Sequence, residues 1–548
     1  FTWNTEAVLN YEKVFHRTHR LGVMAGTSVQ DRKFEQYGYT GYKLDDYERL
    51  GMAALDNGLI RSAVATMSEF SLASFFGRFN YGYKSRYLVT ATIRADGSSK
   101  FPNHKWGFFP SAAIAWNISE ERFMKNVQWI SNSKLRLSYG VTGNNRVGDY
   151  DAWPSLTVPI DASYSFGNGD PVRGLVPGAM GNADLKWEST YQWDLGLDFA
   201  MFDDRISVIL DLYRKDTRDL LLLTDAPRTT GYPSIMKNVG SVRNTGLELT
   251  LNTVNVRTRN FEWSSNFNIA FNRNRVVELD NDTQQMFTTV SFYSAYKGSP
   301  LYLAQVGRPM GLFYGYVFDG VYQFEDFDNP APGKYVLKPG VPGNSTAADR
   351  NSIQPGDIRY RDLNGDGQVD DRDMTVIGNG NPIHTGGFTN TFRYRNIDFS
   401  FLLQWSYGND IYNANRLLFE GNAMKSKDIN QYASYNRRWT PENPSNTYYR
   451  SGGEGPAGRH SSRVIEDGSY LRLKSLSLGY SFPRRWLSKV RIKELRASFS
   501  ANNLFTLTGY TGMDPEVSTR GNSPLTPGFD YSAYPIARTF MFGIQLTF

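Results

Sequence analysis

Apolar and polar residues alternate along this chain in segments of about ten residues, the period of a strand with one face toward an apolar medium and the other toward water. In "YQWDLGLDFAM" the residues Tyr191, Trp193, Leu195, Leu197, Phe199 and Met201 share one face, and Gln192, Asp194, Gly196 and Asp198 share the other. A tight "FDD" turn at 202–204 then leads into "DRISVILDLYR", which makes the pair a hairpin. "FEWSSNFNIAF" repeats the pattern from Phe261, and "IDFSFLLQWSYG" repeats it from Ile397. Further strands are expected at "FTWNTEAVLNYEKVF", "HRLGVMAGTSV", "FFGRFNYGYK", "RYLVTATIRAD", "PSAAIAWNI", "KLRLSYGV", "TGLELTLNT", "GGFTNTFRYR", "YLRLKSLSLGY" and "ELRASFSANN". The last eleven residues, "RTFMFGIQLTF", place Phe540, Phe542, Ile544, Leu546 and Phe548 on one face. In all, roughly sixteen strands are expected.

Soluble sandwiches and propellers also alternate, but their strands average about five or six residues. Here aromatics gather at segment ends, as at Tyr81, Tyr83 and Tyr87 or at Trp405 and Tyr407, where a membrane barrel carries its interfacial girdles. Connections alternate between brief turns, such as 83–86 and 202–204, and long stretches rich in Gly, Pro, Asn and Asp. The long ones are expected around 30–70, 145–185, 275–305, 325–385, 408–462 and 510–535. Short turns on one side and long loops on the other are the asymmetry of an outer-membrane barrel. The fold class expected is therefore all-β, a large antiparallel transmembrane β-barrel.

Composition narrows this further. Mean hydropathy is −0.47 with 15% aromatic residues. The chain contains no run of about 18 apolar residues, so it does not cross a membrane with helices. The 548 residues contain no cysteine, which removes disulfides, thiol catalysis and Cys-ligated zinc. A net charge of +6, from 60 basic and 54 acidic residues, is too slight to suggest a nucleic-acid partner.

The run "FGRFNYGYKSRYLVTATIRADGSSKF", with "WGFFPSAAIAWNISEERFM", "NVGSVRNTGLELTL", "DIRYRDLNGDGQVDDRD" and "IGNGNPIHTGGFTNTFRYRNIDFSFLLQWSYGNDIYN", resembles the SusC/RagA family of TonB-dependent outer-membrane transporters. The resemblance covers essentially the whole chain. It implies a barrel of 22 strands filled by an N-terminal plug, with roughly the last 16 strands in residues 1–548. The plug, the TonB box and about six early strands are then expected on a second chain, a cleaved fragment or further sequence. It also implies a Bacteroidetes-type host, a SusD-like lipoprotein lid, energy delivered through TonB by way of the N-terminal region, and import of oligomeric glycans or peptides. Dimers of transporter–lid pairs are among the assemblies it allows. A terminal aromatic such as Phe548 is, by the same resemblance, the signal read by the assembly machinery. A passive pore or a receptor scaffold is the rival reading of the barrel.

Within 355–380, "DLNGDGQVDDRD" sets Asp362, Asn364, Asp366, Gln368, Asp370 and Asp373 at positions 1, 3, 5, 7, 9 and 12 of a calcium loop, with Gly367 at the sharp turn. A structural Ca²⁺ stiffening an extracellular loop is expected, against a metal-free cluster of Asx turns. "GEGPAG" at 453–458 matches a dinucleotide fingerprint only formally, because Pro456 and the lack of a following helix defeat it. His16, His19, His104, His384 and His460 show no metal-ligand spacing. Acid pairs such as Asp203 with Asp204 and Glu120 with Glu121 sit in expected turns. No enzyme activity is indicated. Tyr432, Tyr435, Arg437, Arg438, Trp439, Tyr448, Tyr449 and Arg450 are substrate-loop candidates, with rings for stacking and cations for peptide carboxylates. The same rings could instead pack on one another or on the lid.

Overall fold

The computed structural model describes residues 1–548 apart from 45–46, 53, 55–58, 158–162, 166, 168, 171, 233, 281–282, 345–349, 422–429, 454, 456–457, 488–491 and 521–522. Fifteen strands follow one another in chain order through one antiparallel sheet. They are β1 Thr2–Phe15, β2 His19–Tyr42, β3 Leu59–Tyr83, β4 Tyr87–Ser98, β5 Ser111–Asn117, β6 Ile130–Asn144, β7 Glu188–Met201 and β8 Ile206–Arg218, followed by β9 Ser241–Arg257, β10 Phe261–Glu278, β11 His384–Tyr394, β12 Ile397–Tyr407, β13 Tyr470–Ser481, β14 Glu494–Thr508 and β15 Thr539–Thr547. A sixteenth, Trp106–Phe108, pairs beside β4. Strands β1, β3, β7, β9 and β11 are followed by tight turns, 16–18, 84–86, 202–205, 258–260 and 395–396. Long excursions follow the even-numbered strands, notably 145–187, 219–240, 279–383, 408–469 and 509–538.

The chain divides into two compact units, residues 1–127, 133–196 and 213–242 in one and 128–132, 197–212 and 243–548 in the other. In the first unit, cross-strand partners form the apolar row Leu21, Tyr81, Val89, Ile114 and Leu137. The adjacent row, Gly22, Asn80, Thr90, Ala113 and Ser138, faces the opposite way and is small and polar. In the second unit Trp263, Phe392, Phe399, Leu478, Phe499 and Phe542 form one row, beside Ser264, Thr391, Ser400, Ser477 and Ser500. Register thus converts the local alternation of the strands into an apolar row on one face within each unit, since partners in an antiparallel pair share a face. Val89, Ile93 and Ile114 remain 38%, 58% and 55% exposed, as side chains that face lipid must.

Hairpins are tight where the sequence places them. Phe202, Asp203 and Asp204 take φ of 55°, 55° and 61°, and the Asp204 amide donates to Ser131 Oγ at 2.9 Å. Glu121 is no merely solvated turn carboxylate, because it accepts from the Tyr87 hydroxyl at 2.6 Å and from the Trp116 indole at 3.2 Å.

Three long connections differ from expectation. Residues 30–70 are mostly strand, because β2 and β3 run for 24 and 25 residues and leave only 43–58 between them. Spanning a bilayer takes about 9–11 residues, so the distal halves need no apolar face and carry no strand-like signal. The stretches 275–305 and 325–385 belong to a single excursion, 279–383, which builds its own sheet from Gln285–Thr289, Pro300–Gln305, Leu312–Gly315 and Thr375–Asn379. A further excursion at 219–240 holds the hairpin Leu221–Asp225 with Ser234–Asn238.

The buried cores lie in the connections and at the strand ends that carry them. In the first unit Phe101, Phe109, Leu185 and Trp187 form one, with Phe109 and Trp187 edge to face at 5.4 Å. In the second, Tyr302, Phe313, Tyr412, Leu417, Val464 and Phe529 form another. Beside this second core His460 is 1% exposed, its Nδ1 2.7 Å from the Tyr412 hydroxyl and its ring 5.1 Å from that of Tyr296. Burial pushes its pKa from 6.5 down to about 4. The unfolded loop therefore takes up a proton near pH 6.5 and the folded one only near 4. Loop stability should be full above the higher value and fall by about 3 kcal/mol as pH drops to the lower one. Hydrogen exchange of 408–469 across that range checks this, and a His460→Gln variant with an unchanged pH slope would overturn it.

Candidate functional site: a cavity in the long connections

Asp410–Asn413 pairs antiparallel with Ile465–Asp467 and parallel with Phe529–Asp530, which joins the 408–469 and 509–538 connections in one small sheet. Asn413 then caps the short helix Ala414–Phe419, its side chain accepting the Arg416 amide. Behind this helix lies a buried ion network. Glu420 accepts from Arg463 Nη2 at 2.9 Å and Arg416 Nε at 3.1 Å, and Arg416 Nη1 reaches Glu466 at 3.0 Å. From β13 the guanidinium of Arg472, 2% exposed, holds Asp514 and Glu516 and so anchors the 509–538 connection.

Between these parts opens a cavity of about 550 Å³, lined by Asn415, Phe419, Tyr432, Asp530 and Tyr534 together with residues 511–514 and 516–519. Phe419 and Tyr432 set their ring centres 5.8 Å apart. Tyr432 is 45% exposed and Tyr534 94%, so both rings are free to meet a ligand. The Tyr432 hydroxyl pKa is raised by burial first, and then by the negative charges of Asp530, Glu420 and Glu466. Asp530, 3% exposed, accepts the Tyr510 hydroxyl on Oδ2.

Of the substrate-loop candidates, the structure puts only Tyr432 on this cavity. Trp439 and Tyr449 are corrected to core residues, 5% and 3% exposed, packed with Tyr316, Val321, Ile358, Tyr360 and Val369. Tyr435 lies under Arg438, whose guanidinium sits 4.5 Å from the ring centre. Arg450 pairs with Asp357 at 2.7 Å, Tyr448 lies 6.0 Å from the Arg463 guanidinium, and Arg437 is exposed. Asp530, Phe419 and Tyr534 escaped sequence reading because no spacing ties them together. On the sheet, Asn266 donates to Asn252 at 2.6 Å on the polar face. His19 bonds Tyr81 at 2.7 Å, while His16 lies in the 16–18 turn. The "GEGPAG" stretch lies partly outside the described residues.

The calcium-like segment folds as a coil of Asx turns. Asp362 accepts the amides of Gly365 and Gly367 at 2.7 and 2.8 Å, Asn364 accepts that of Asp366 at 2.9 Å, and Asp366 accepts that of Gln368 at 3.0 Å. Arg372 bridges Asp366 and Asp370 at 2.7 and 2.8 Å, and holds the Asp370 carboxyl below its usual pKa. Asp373, fully buried, accepts the amides of Leu363, Asn364 and Asp370. Among the described residues no cluster of three or more acidic or histidine side chains converges as a metal cage. Asp373→Ala, which removes the shared acceptor of these three partly buried amides, should cost about 1–3 kcal/mol. Protease cleavage within 355–380 should speed up accordingly, and an unchanged cleavage rate would count against the fold described.

A family model described as "TonB dependent receptor-like, beta-barrel" matches residues 2–504. The chain belongs to the TonB-dependent receptor family, and what it contributes is outer-membrane β-barrel. Among particular relatives, TonB-dependent receptor P3 of Formosa agariphila is 34% identical over 559 residues, covering 100% of this chain and 52% of that protein. TonB-dependent receptor SusC of Bacteroides thetaiotaomicron is 31% identical over 495 residues, 89% of this chain and 45% of its own length. The solved RagAB peptide transporter shares the fold at a TM-score of 0.79 and 24% identity, over 100% of this chain and 55% of the solved one. The chain thus spans about half the length of the curated relatives it matches. Proteins of this family are receptors and transporters, and this chain is not an enzyme.

Proposed function

We propose that this chain supplies the wall and external loops of an importer of oligomeric nutrients, glycans or peptides, which works with a SusD-like lipoprotein and is energised through TonB. The observation that carries the reading is where the packing lies. The sheet gathers apolar side chains on one face, while the long connections bury cores of their own and hold a cavity lined by rings and carboxylates. A mere pore needs no loops so firmly built, whereas capture of a ligand does. Phe548, 75% exposed beyond β15, belongs to the same proposal as the assembly signal. So does Ca²⁺ in the 355–380 loop, where the Asx turns already curl the chain but Arg372 would have to leave Asp366 and Asp370. Calcium that fails to raise loop melting of the full-length receptor would leave the metal-free coil standing.

The test is growth on single oligosaccharides or peptides by cells with and without the full-length receptor, each with and without a protonophore. Loss of growth on one substrate class, reproduced by the protonophore, is the expected result. Uptake that persists after the proton gradient collapses would establish the passive pore instead.

A further inference from the structure

We propose that the cavity between Tyr432 and Tyr534 binds a primary ammonium group, carried by a peptide amino terminus or by an amino sugar, with Asp530 as its counter-ion. This deepens the importer reading and rests on it. Among the described residues, the charged ones lining the cavity are Asp514, Glu516 and Asp530, all acidic. Arg472 neutralises Asp514 and Glu516 from behind, assisted by Lys474 at 3.1 Å from Glu516. Among the described residues Asp530 has no such cation. Its Oδ2 accepts the neutral Tyr510 hydroxyl, and its Oδ1 has no hydrogen-bond partner although the residue is 3% exposed.

A buried carboxylate oxygen left unpaired is costly, and a ligand that pairs it recovers that cost on binding. A sugar hydroxyl would satisfy the oxygen but leave the charge. An ammonium group satisfies both, through the stronger charge-assisted bond. A guanidinium fork would want two free oxygens, and Asp530 has one, so the geometry selects a compact point charge.

The rest of the cavity suits what such a group is attached to. Phe419 and Tyr432 offer adjoining ring faces to a cation or to an apolar backbone. Ser532 holds φ at 51°, a left-handed conformation costly for a residue with a Cβ, and its amide is tied to Asn415 Oδ1 at 2.7 Å. That strained link carries the chain from Asp530 to the exposed ring of Tyr534.

The test is calorimetric titration of the full-length receptor with two matched pairs of probes: tetra-alanine amide against its N-acetyl form, and glucosamine trimer against N-acetylglucosamine trimer. The charged member of at least one pair should bind about tenfold or more tightly than its acetylated partner, and Asp530→Asn, which keeps an acceptor for Tyr510, should erase that preference. Which pair discriminates identifies the source, peptide or amino sugar. Equal affinities within both pairs, no binding of either charged probe, or a preference that survives Asp530→Asn each overturns the inference. The acetylation comparison on the unmodified receptor does not depend on how the variant folds. Receptor-dependent, protonophore-sensitive growth without charge discrimination would overturn the ammonium site alone. Growth indifferent to the receptor would overturn the importer reading itself.

Discussion

Glu420→Ala is expected to open the 408–469 connection while the strands of the sheet stay paired. Glu420 and Arg463 are 6% and 4% exposed in their side chains, and the carboxylate also takes Arg416. Remove it, and Arg416 keeps Glu466 while Arg463 is left, among the described residues, with the Thr447 carbonyl at 3.4 Å and the rings of Tyr449 and Tyr448 at 4.9 and 6.0 Å, none of them a counter-charge. A buried guanidinium stripped of its counter-charge costs about 3–5 kcal/mol, far more than any exposed pair contributes. Local opening should rise by about a hundredfold or more, read as hydrogen exchange in 410–420 and 459–467 of the full-length receptor in detergent. The charge-neutral Glu420→Gln should lose less, because it retains an acceptor. Exchange equal to the unmodified protein would show that the network is not what holds this loop.

Trp439→Ala should cost about as much, for a different reason. Its ring, 5% exposed, fills the core formed with Tyr316, Ile358, Tyr360 and Tyr449, and its Nε1 donates to Gln323 Oε1 at 2.9 Å. Gly356, at φ 92°, lies so close that a Cβ there would collide with the indole, which leaves little room for collapse into the space a smaller residue would vacate. Truncation of a buried Trp costs about 3–5 kcal/mol, and the orphaned Gln323 adds to it. Proteolysis within 430–450 should accelerate without any ligand present, whereas Tyr432→Ala should leave that rate alone and weaken ligand binding. Were Trp439→Ala to keep the loop intact and lose only ligand, the indole would return to the substrate face.

That contrast marks how far the sequence reaches. Tyr432 and Trp439 stand seven positions apart in one aromatic stretch and read alike, yet one lines a cavity and the other fills a core. Nothing local separates them, because an irregular connection has no period linking position to burial. The strands are different. Their period of two ties each side chain to a face, so Tyr191 to Met201 and Phe261 to Phe271 could be placed before any register was known. Where strands outrun the bilayer, as in the distal halves of β2 and β3, that constraint lapses and the signal fades with it.

By itself, then, the sequence determined the all-β class, the apolar strand faces, the tight hairpins and the family, since each is written in local alternation or contiguous motifs. Tertiary structure alone decided that the cores sit in the long connections, that Glu420, His460 and Arg472 are buried, and that Asp530 meets Tyr432 across a cavity. Those facts depend on residues about forty to a hundred positions apart being brought together by sheet pairing and loop packing, and no short-range pattern encodes such distances.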